Sequence, residues 1–456
     1  MLHSDANNMH SDSSATDTHA VRGPERADAE VRRFQFGALA GECAGFTFDK
    51  NHRIVTVCVK ASRSELILID PATLSVLDRF EIPARQGTYR AVFALRIDSI
   101  FLDTSGGSYF YLDHEGRAVV ATADRRILRI KQVRTSEGPR FVLDREYSLA
   151  EHVPGDCPKR PDLAAKAPGC DKVTTALPDW QGLIWFVTRK GRVGTLDPES
   201  SRIQVIRLKG EEIQNSFAVA EDGVYLVTDK ALYRLAASAK TGKPGIVWRE
   251  AYDRGTRRKI GQVAQGSGTT PTLLDSRYVA IADNAEPRIN ALVYRRQARP
   301  GESRLICKVP VFETDRSATD NSFVGFGRSL IVENNSGYRH AFTTNNPVGG
   351  ILRIDIRPDE SGCDIVWQNP AISPSTVLKM SRESRLIYAY TVEAHPIRRD
   401  LWSLTTIDFH TGRTVLSIPV GRGMRLDNNW GSIALGPEPG TALIGTLSGF
   451  VQVRDR

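Results

Sequence analysis

The chain has no apolar stretch approaching the ~20 residues that a membrane-crossing helix requires, so no membrane insertion by a helix is expected. Its N-terminus lacks the basic-then-apolar shape of a signal peptide; if the protein is exported, this sequence is a mature or trimmed form. The formal net charge is +8, yet Lys and Arg never gather into a run long enough to track nucleic acid or anionic lipid. No nucleic-acid partner is expected. Several chemical signatures are also missing. There is no Cys-x-x-Cys, no His-Glu-x-x-His, no Gly-rich phosphate loop and no complete dinucleotide fingerprint. Gly266-Ser-Gly268 runs into Thr-Thr-Pro271 and opens no helix. A Gly-x-Ser-x-Gly nucleophile elbow is absent as well.

What the chain does contain is a repeat. A short apolar run reaches Ile-Asp or Leu-Asp, turns, and leaves in a second apolar run. It occurs at Leu66-Ile-Leu-Ile-Asp70, Val193-Gly-Thr-Leu-Asp197, Ile351-Leu-Arg-Ile-Asp355 and Leu404-Thr-Thr-Ile-Asp408. Looser copies are Tyr109-Phe-Tyr-Leu-Asp113, Ala231-Leu-Tyr-Arg-Leu235 and Ala291-Leu-Val-Tyr294. A unit of this size cannot bury both its faces alone and must stack on its neighbours. The expected fold is all-β, a single β-propeller of eight four-stranded blades, with seven as the alternative because the second unit is ambiguous. Ala91–Leu95 and Ile100–Leu102 add apolar runs there. The eighth unit offers only three strands before the chain stops. Arg33-Phe-Gln-Phe36 supplies the fourth, which closes the ring and removes two sheet edges. Residues 1–30 read as a polar flexible tail, 31–456 as the propeller, and 152–172 as an insertion loop.

One copy of the repeat, Thr406-Ile-Asp408-Phe-His-Thr411-Gly412-Arg-Thr-Val-Leu416, resembles the quinoprotein repeat Ala-x-Asp-x-x-Thr-Gly-x-x-x-Trp. Asp355 leading through Gly362 to Trp367 is a second partial match. The chain thus resembles the quinoprotein-alcohol-dehydrogenase-like superfamily of eight-bladed propellers, and is similar to exported bacterial propellers of unassigned function. Leu416 stands where the repeat has its docking Trp, and the adjacent cysteines of many quinone-dependent alcohol dehydrogenases are missing. Both departures argue against bound pyrroloquinoline quinone and against a quinone-dependent dehydrogenase.

The six cysteines favour an oxidising compartment, periplasmic or secreted, over the cytoplasm. Pairing Phe48 with Arg53 across the turn Asp49-Lys-Asn-His52 places Cys43 opposite Cys58, within disulfide reach. Cys157 and Cys170 bracket the insertion, and Cys307 and Cys363 fall in outer strands of successive units, where they either pair or are simply buried.

Radial repetition brings the entry to each innermost strand, and the loop leaving each second strand, to one mouth of the central channel. That mouth is the default ligand site of the architecture. The entry segments supply Asn215, Thr269, Asp320, Asn321, Asn429 and Trp430; the loops supply Asp283, Asn284, Glu333, Asn334, Glu393 and His395. Acids and amides in such a ring suit a hard cation, with Asp283 and Glu333 as calcium ligands, or a polyhydroxylated molecule. Asp283, Glu333, Glu393 and His395 are the candidate acids and bases, and the others would orient a ligand. The expectation is a small-ligand-binding propeller, an enzyme of cofactor-free hydrolase, lactonase or lyase type if it is catalytic. The alternative is a non-catalytic protein-interaction scaffold.

Overall fold

A computed structural model describes residues 7–36, 41–59, 64–83, 85, 103–155, 171–343, 345–395 and 399–456. The chain forms an eight-bladed β-propeller, and no α-helix occurs among the described residues. The innermost strands of blades 1 to 8 are Glu42–Phe48, Phe110–Leu112, Val173–Pro178, Ala218–Ala220, Thr272–Leu274, Val324–Phe326, Lys379–Ser381 and Ile433–Leu435. Middle strands are covered on both faces by neighbouring blades, which is why they read as unbroken apolar runs rather than alternating ones. Ser64–Ile69, Ile184–Thr188 and Tyr278–Ala282 are buried at every position. Blade 8 is completed by Glu30–Gln35, antiparallel to Gly449–Arg454 from Glu30 opposite Arg454 to Gln35 opposite Gly449. The expected closure and the count of eight are therefore found. Blade 2 begins at Phe110, and the extra runs at 91–95 and 100–102 lie outside the described residues.

The outer strands of blades 1, 4, 5, 6 and 7 carry an extra residue against the partner at the same position, Leu77, Val247, Ile306, Val366 and Val415, and that of blade 7 carries a second, Val420. Such bulges bend an edge and spoil it as a template for another strand. The residue after the bulge at this shared position meets the next blade. Asp78 Oδ2 accepts the Phe141 N–H at 2.5 Å. Trp248 and Trp367 donate their indole N–H to Arg296 O at 3.2 Å and Phe409 O at 2.9 Å. Cys307 is disulfide-bonded to Cys363. Leu416 packs into the cluster between blades 7 and 8. The position of the docking Trp is thus a general seam position that this chain fills in several ways.

Cys43 and Cys58 also form a disulfide. Their register differs from the expected one: Phe48 faces Ile54, and a bulge between Cys43 and Phe46 brings Cys43 opposite Cys58. Cys157 and Cys170 lie outside the described residues, as does most of the 152–172 insertion.

The expected flexible tail is not what residues 7–19 form. They lie inside the channel, and most of them are buried. Each innermost strand turns one edge towards the channel, where a buried N–H without a partner is costly. The segment supplies the acceptors. Asn8 O takes the N–H of Phe46, Ser13 O that of Val219, Ser14 O that of Leu273, Thr16 O that of Gly325 and Asp17 O that of Met380, at 2.7 to 3.1 Å. Thr18–His19 runs parallel to Lys379–Ser381 as a fifth strand of blade 7. The chain then leaves by the face opposite the polar mouth, where Gly440 N–H reaches Arg22 O and Gly23 N–H reaches Tyr388 Oη, both at 3.0 Å.

Candidate ligand site at the channel mouth

Three loops meet over the mouth: 252–268 between blades 4 and 5, 334–343 with 345–350 within blade 6, and 427–431 at the entry to blade 8. They enclose a pocket of about 140 Å³ edged by Arg258, Lys259, Arg339, His340, Tyr338 and Trp430, and none of its described lining residues is acidic. Side-chain amides hold the loops. Asn284 Nδ2 donates to Arg254 O and Arg257 O, both at 2.9 Å. Asn334 Nδ2 donates to Arg316 O at 2.9 Å, and its Oδ1 accepts from Ala318 N at 3.2 Å. Gly261 has φ 105°, and a Cβ there would run into Asn335 O.

Trp430 is held with unusual care. Asn429 and Trp430 are consecutive left-handed residues, φ 48° and 69°, a conformation that bulky side chains rarely adopt. Asn429 fixes it by donating its N–H to Asp427 Oδ1 and its Nδ2 to Glu42 Oε2, each at 3.0 Å, while its Oδ1 accepts from Ala341 N at 3.3 Å. The Trp430 indole donates to Arg339 O at 3.2 Å and meets Tyr338 edge-on, ring centroids 5.5 Å apart. Tyr338 Oη in turn donates to Asp427 Oδ1 at 2.6 Å.

Beneath the pocket lies a buried acidic layer. Glu333 Oε1 accepts from Asn321 Nδ2 and, at 3.3 Å, from Asn335 Nδ2, while Oε2 has no partner. Burial pushes Glu333 up to about 8 despite those donors. Burial likewise raises Glu42 to about 8 against the Asn429 donor, and Asp320 to about 7 against backbone donation and Arg189. Asn215 Nδ2 donates to the Gly268 and Asp320 carbonyls.

Below this layer, Asp17 of the channel segment receives Lys379 Nζ and Ser322 Oγ, and lies 3.3 Å from His10 Nδ1. Burial opposes its charge, but Lys379 and His10 prevail and lower its pKa. Ser, His and Asp meet here without forming a nucleophile relay. Ser322 Oγ and the Asp17 carboxylate both face the same ring nitrogen, Nδ1 (3.1 Å from Ser322), whereas a relay needs opposite nitrogens.

Of the residues expected at the mouth, Asn215, Asp320, Asn321 and Glu333 form this layer, and Asn429 and Trp430 form its cover. Thr269 is buried beside them, 2.8 Å from Ser267 Oγ. The others are elsewhere or otherwise employed. Asp283 accepts from Asn290 N and Asn290 Nδ2, both at 2.7 Å, and so braces its own turn; Asn284 and Asn334 pin loops. Glu393 and His395 are exposed, with the His395 N–H donated to Asp400 Oδ1 at 2.7 Å. Asp283 and Glu333 thus belong to separate hydrogen-bond sets and do not fit a shared calcium ion. No group of three or more His, Cys, Asp or Glu side chains among the described residues is placed to hold a metal.

Two residues of the site escaped the sequence reading. Arg189 follows the second strand of blade 3, the repeat position that supplies Asp283 and Glu333 in blades 5 and 6, but it is basic. Lys379 is a single charge inside Leu378-Lys379-Met380, and its partner lies 362 residues away.

No family model matches the chain. It is 26% identical over 309 residues to an uncharacterized protein of Archaeoglobus fulgidus, a match covering 60% of this chain and 59% of that protein. The chain thus spans less than two thirds of that relative. Among solved structures, Saccharomyces cerevisiae Sqt1 superposes with a TM-score of 0.55 at 11% identity, covering 92% of this chain and 97% of that one. Chaetomium thermophilum Sqt1 bound to the N-terminus of a ribosomal protein gives 0.53 at 11% identity, covering 92% and 98%. At such identities these likenesses speak for the propeller fold alone.

Proposed function

We propose that the protein binds a small, ring-bearing anion in the pocket at the channel mouth. The observation that carries this reading is the pocket wall. Arg258, Lys259 and Arg339 line it with no acid among its described lining residues, and Trp430 is fixed in a strained backbone conformation at its edge. Cations select charge, and a rigid aromatic face selects a planar or sugar ring. Strain of this kind persists where the surroundings over-determine it, commonly at ligand clamps.

Binding, rather than hydrolase, lactonase or lyase turnover, is the role the geometry supports best. Asp283 is committed to a turn, Glu393 and His395 stand on the exposed rim, and Glu333 faces an enclosed layer. The two disulfides support a periplasmic or secreted protein. The test is calorimetric titration with glucuronate, sugar phosphates and aromatic carboxylates. Binding that weakens with salt, and is lost in Arg339→Ala and Trp430→Ala, is expected. Equal affinity in wild type and both variants would refute the assignment.

A further inference from the structure

We propose that Arg189, Gln214 and Asp320 form a recess beneath the mouth for a carboxylate that carries an adjacent hydroxyl or amino group. The inference rests on reading this face as a ligand site, but it uses different residues from the pocket wall. All three side chains are more than nine-tenths buried. Arg189 Nε and Nη1, both side-chain atoms of Gln214, and Asp320 Oδ1 have no hydrogen-bond partner. Native interiors seldom leave such groups unmet, and each one asks what completes it. Here the unmet atoms come as a complementary set.

The chain places the three together. Ile213 N–H donates to Arg189 O at 3.1 Å, which sets Gln214 beside Arg189. Thr104 Oγ1 donates to Gln214 O at 2.8 Å, and Asn215 Nδ2 reaches Asp320 O at 3.4 Å. Arg189 and Asp320 feel each other's charge, yet their charged atoms make no ion pair; the nearest acid contact of Arg189 is Glu212 Oε2, 3.3 Å from Nη2. Arg189 and Asp320, both buried and not paired with each other, are groups that one dipolar ligand would satisfy together. Gly268 is what admits the Asp320 carboxylate, because Oδ1 lies against its bare Cα and a Cβ there would collide with it. A guanidinium suits a carboxylate, a carboxyl group suits a hydroxyl or ammonium donor, and the Gln214 amide can serve either.

The experiment titrates the full-length protein with glycolate, glycine and acetate by saturation-transfer NMR and calorimetry. Glycolate or glycine should bind at least about tenfold more tightly than acetate, which lacks the second group. Arg189→Gln should abolish this binding. Asp320→Asn, a shape-conserving change, should remove the preference over acetate while the melting curve shows a folded protein. Arg339→Ala should leave glycolate binding intact, so loss of the outer pocket and loss of the recess are read separately. Equal affinity for acetate, undiminished binding by Arg189→Gln, or a glycolate-soaked crystal with only water between Arg189 and Asp320 would overturn the proposal.

Discussion

Asp17 and Lys379 form an ion pair at the centre of the propeller, both side chains essentially inaccessible to solvent. Lys379 Nζ also donates to Met9 O, so one lysine holds two points of the channel segment. Removing one member of a buried pair strands the other charge. Lys379→Met should therefore lower stability by ~3 kcal/mol or more, and the Asp17→Asn/Lys379→Met double variant should recover part of it. Chemical denaturation of the three proteins checks this; additive losses would mean the two charges do not interact.

The segment is held by backbone pairing as well as by charge, so it should stay in place when cut. Arg26 lies in an exposed stretch between the channel and the closing strand. Limited trypsin treatment that cleaves after Arg26 should leave the N-terminal piece co-eluting with the ring until denaturant is added. Release on cleavage would show that the channel pairing is weak.

The buried carboxyls predict an unusual pH dependence. Glu42, Glu333 and Asp320 are raised to about 8, 8 and 7 from 4.5, 4.5 and 3.8. A raised pKa means that the folded state retains the proton through the interval. The stability tied to these groups is complete below about pH 4 and declines as pH rises towards 8. Asp17 and Asp103 are lowered, the latter to about 2, and act in the opposite sense only below pH 3.8, outside this interval. Glu42→Gln/Glu333→Gln keeps acceptors for Asn429 and Asn321, so it should flatten the decline by at least about 1 kcal/mol between pH 5 and 8.5. An unchanged slope would mean that these acids ionise normally.

The two disulfides should contribute unequally. Cys307 and Cys363 are 56 residues apart and join two blades, whereas Cys43 and Cys58 are 15 apart and already paired across one hairpin. Chain-entropy reasoning gives about 4 against about 3 kcal/mol, and the hairpin register reduces the second further. Cys307→Ser/Cys363→Ser should thus lower the melting temperature more than Cys43→Ser/Cys58→Ser, as differential scanning calorimetry would show.

The architecture was legible because the middle strands of each blade are buried on both faces and the Ile-Asp or Leu-Asp turn repeats. Ring closure followed from counting strands in the last unit. The Cys43–Cys58 pair was reached through a register one residue off at the turn, and the bulge that corrects it leaves no mark on the composition. The channel segment was not legible. Asn8, Ser13, Thr16 and Asp17 look like a solvated tail, because a polar segment that completes buried strand edges needs the same residue types as one facing water. Arg189 was not legible because the acids at the same repeat position in blades 5 and 6, Asp283 and Glu333, give no sign that blade 3 carries a base there. Asp283 was taken for a site residue because a carboxylate bracing a turn and one facing a ligand look alike in sequence.

The most direct test of a ligand site at the mouth uses the reporter already there. Intrinsic tryptophan fluorescence would be followed in wild type and Trp430→Phe during titration with glucuronate and aromatic carboxylates. A saturable change is expected in wild type that disappears in the variant while its melting temperature stays close to wild type. A change of equal size in both proteins, or none with any ring-bearing anion, would contradict it.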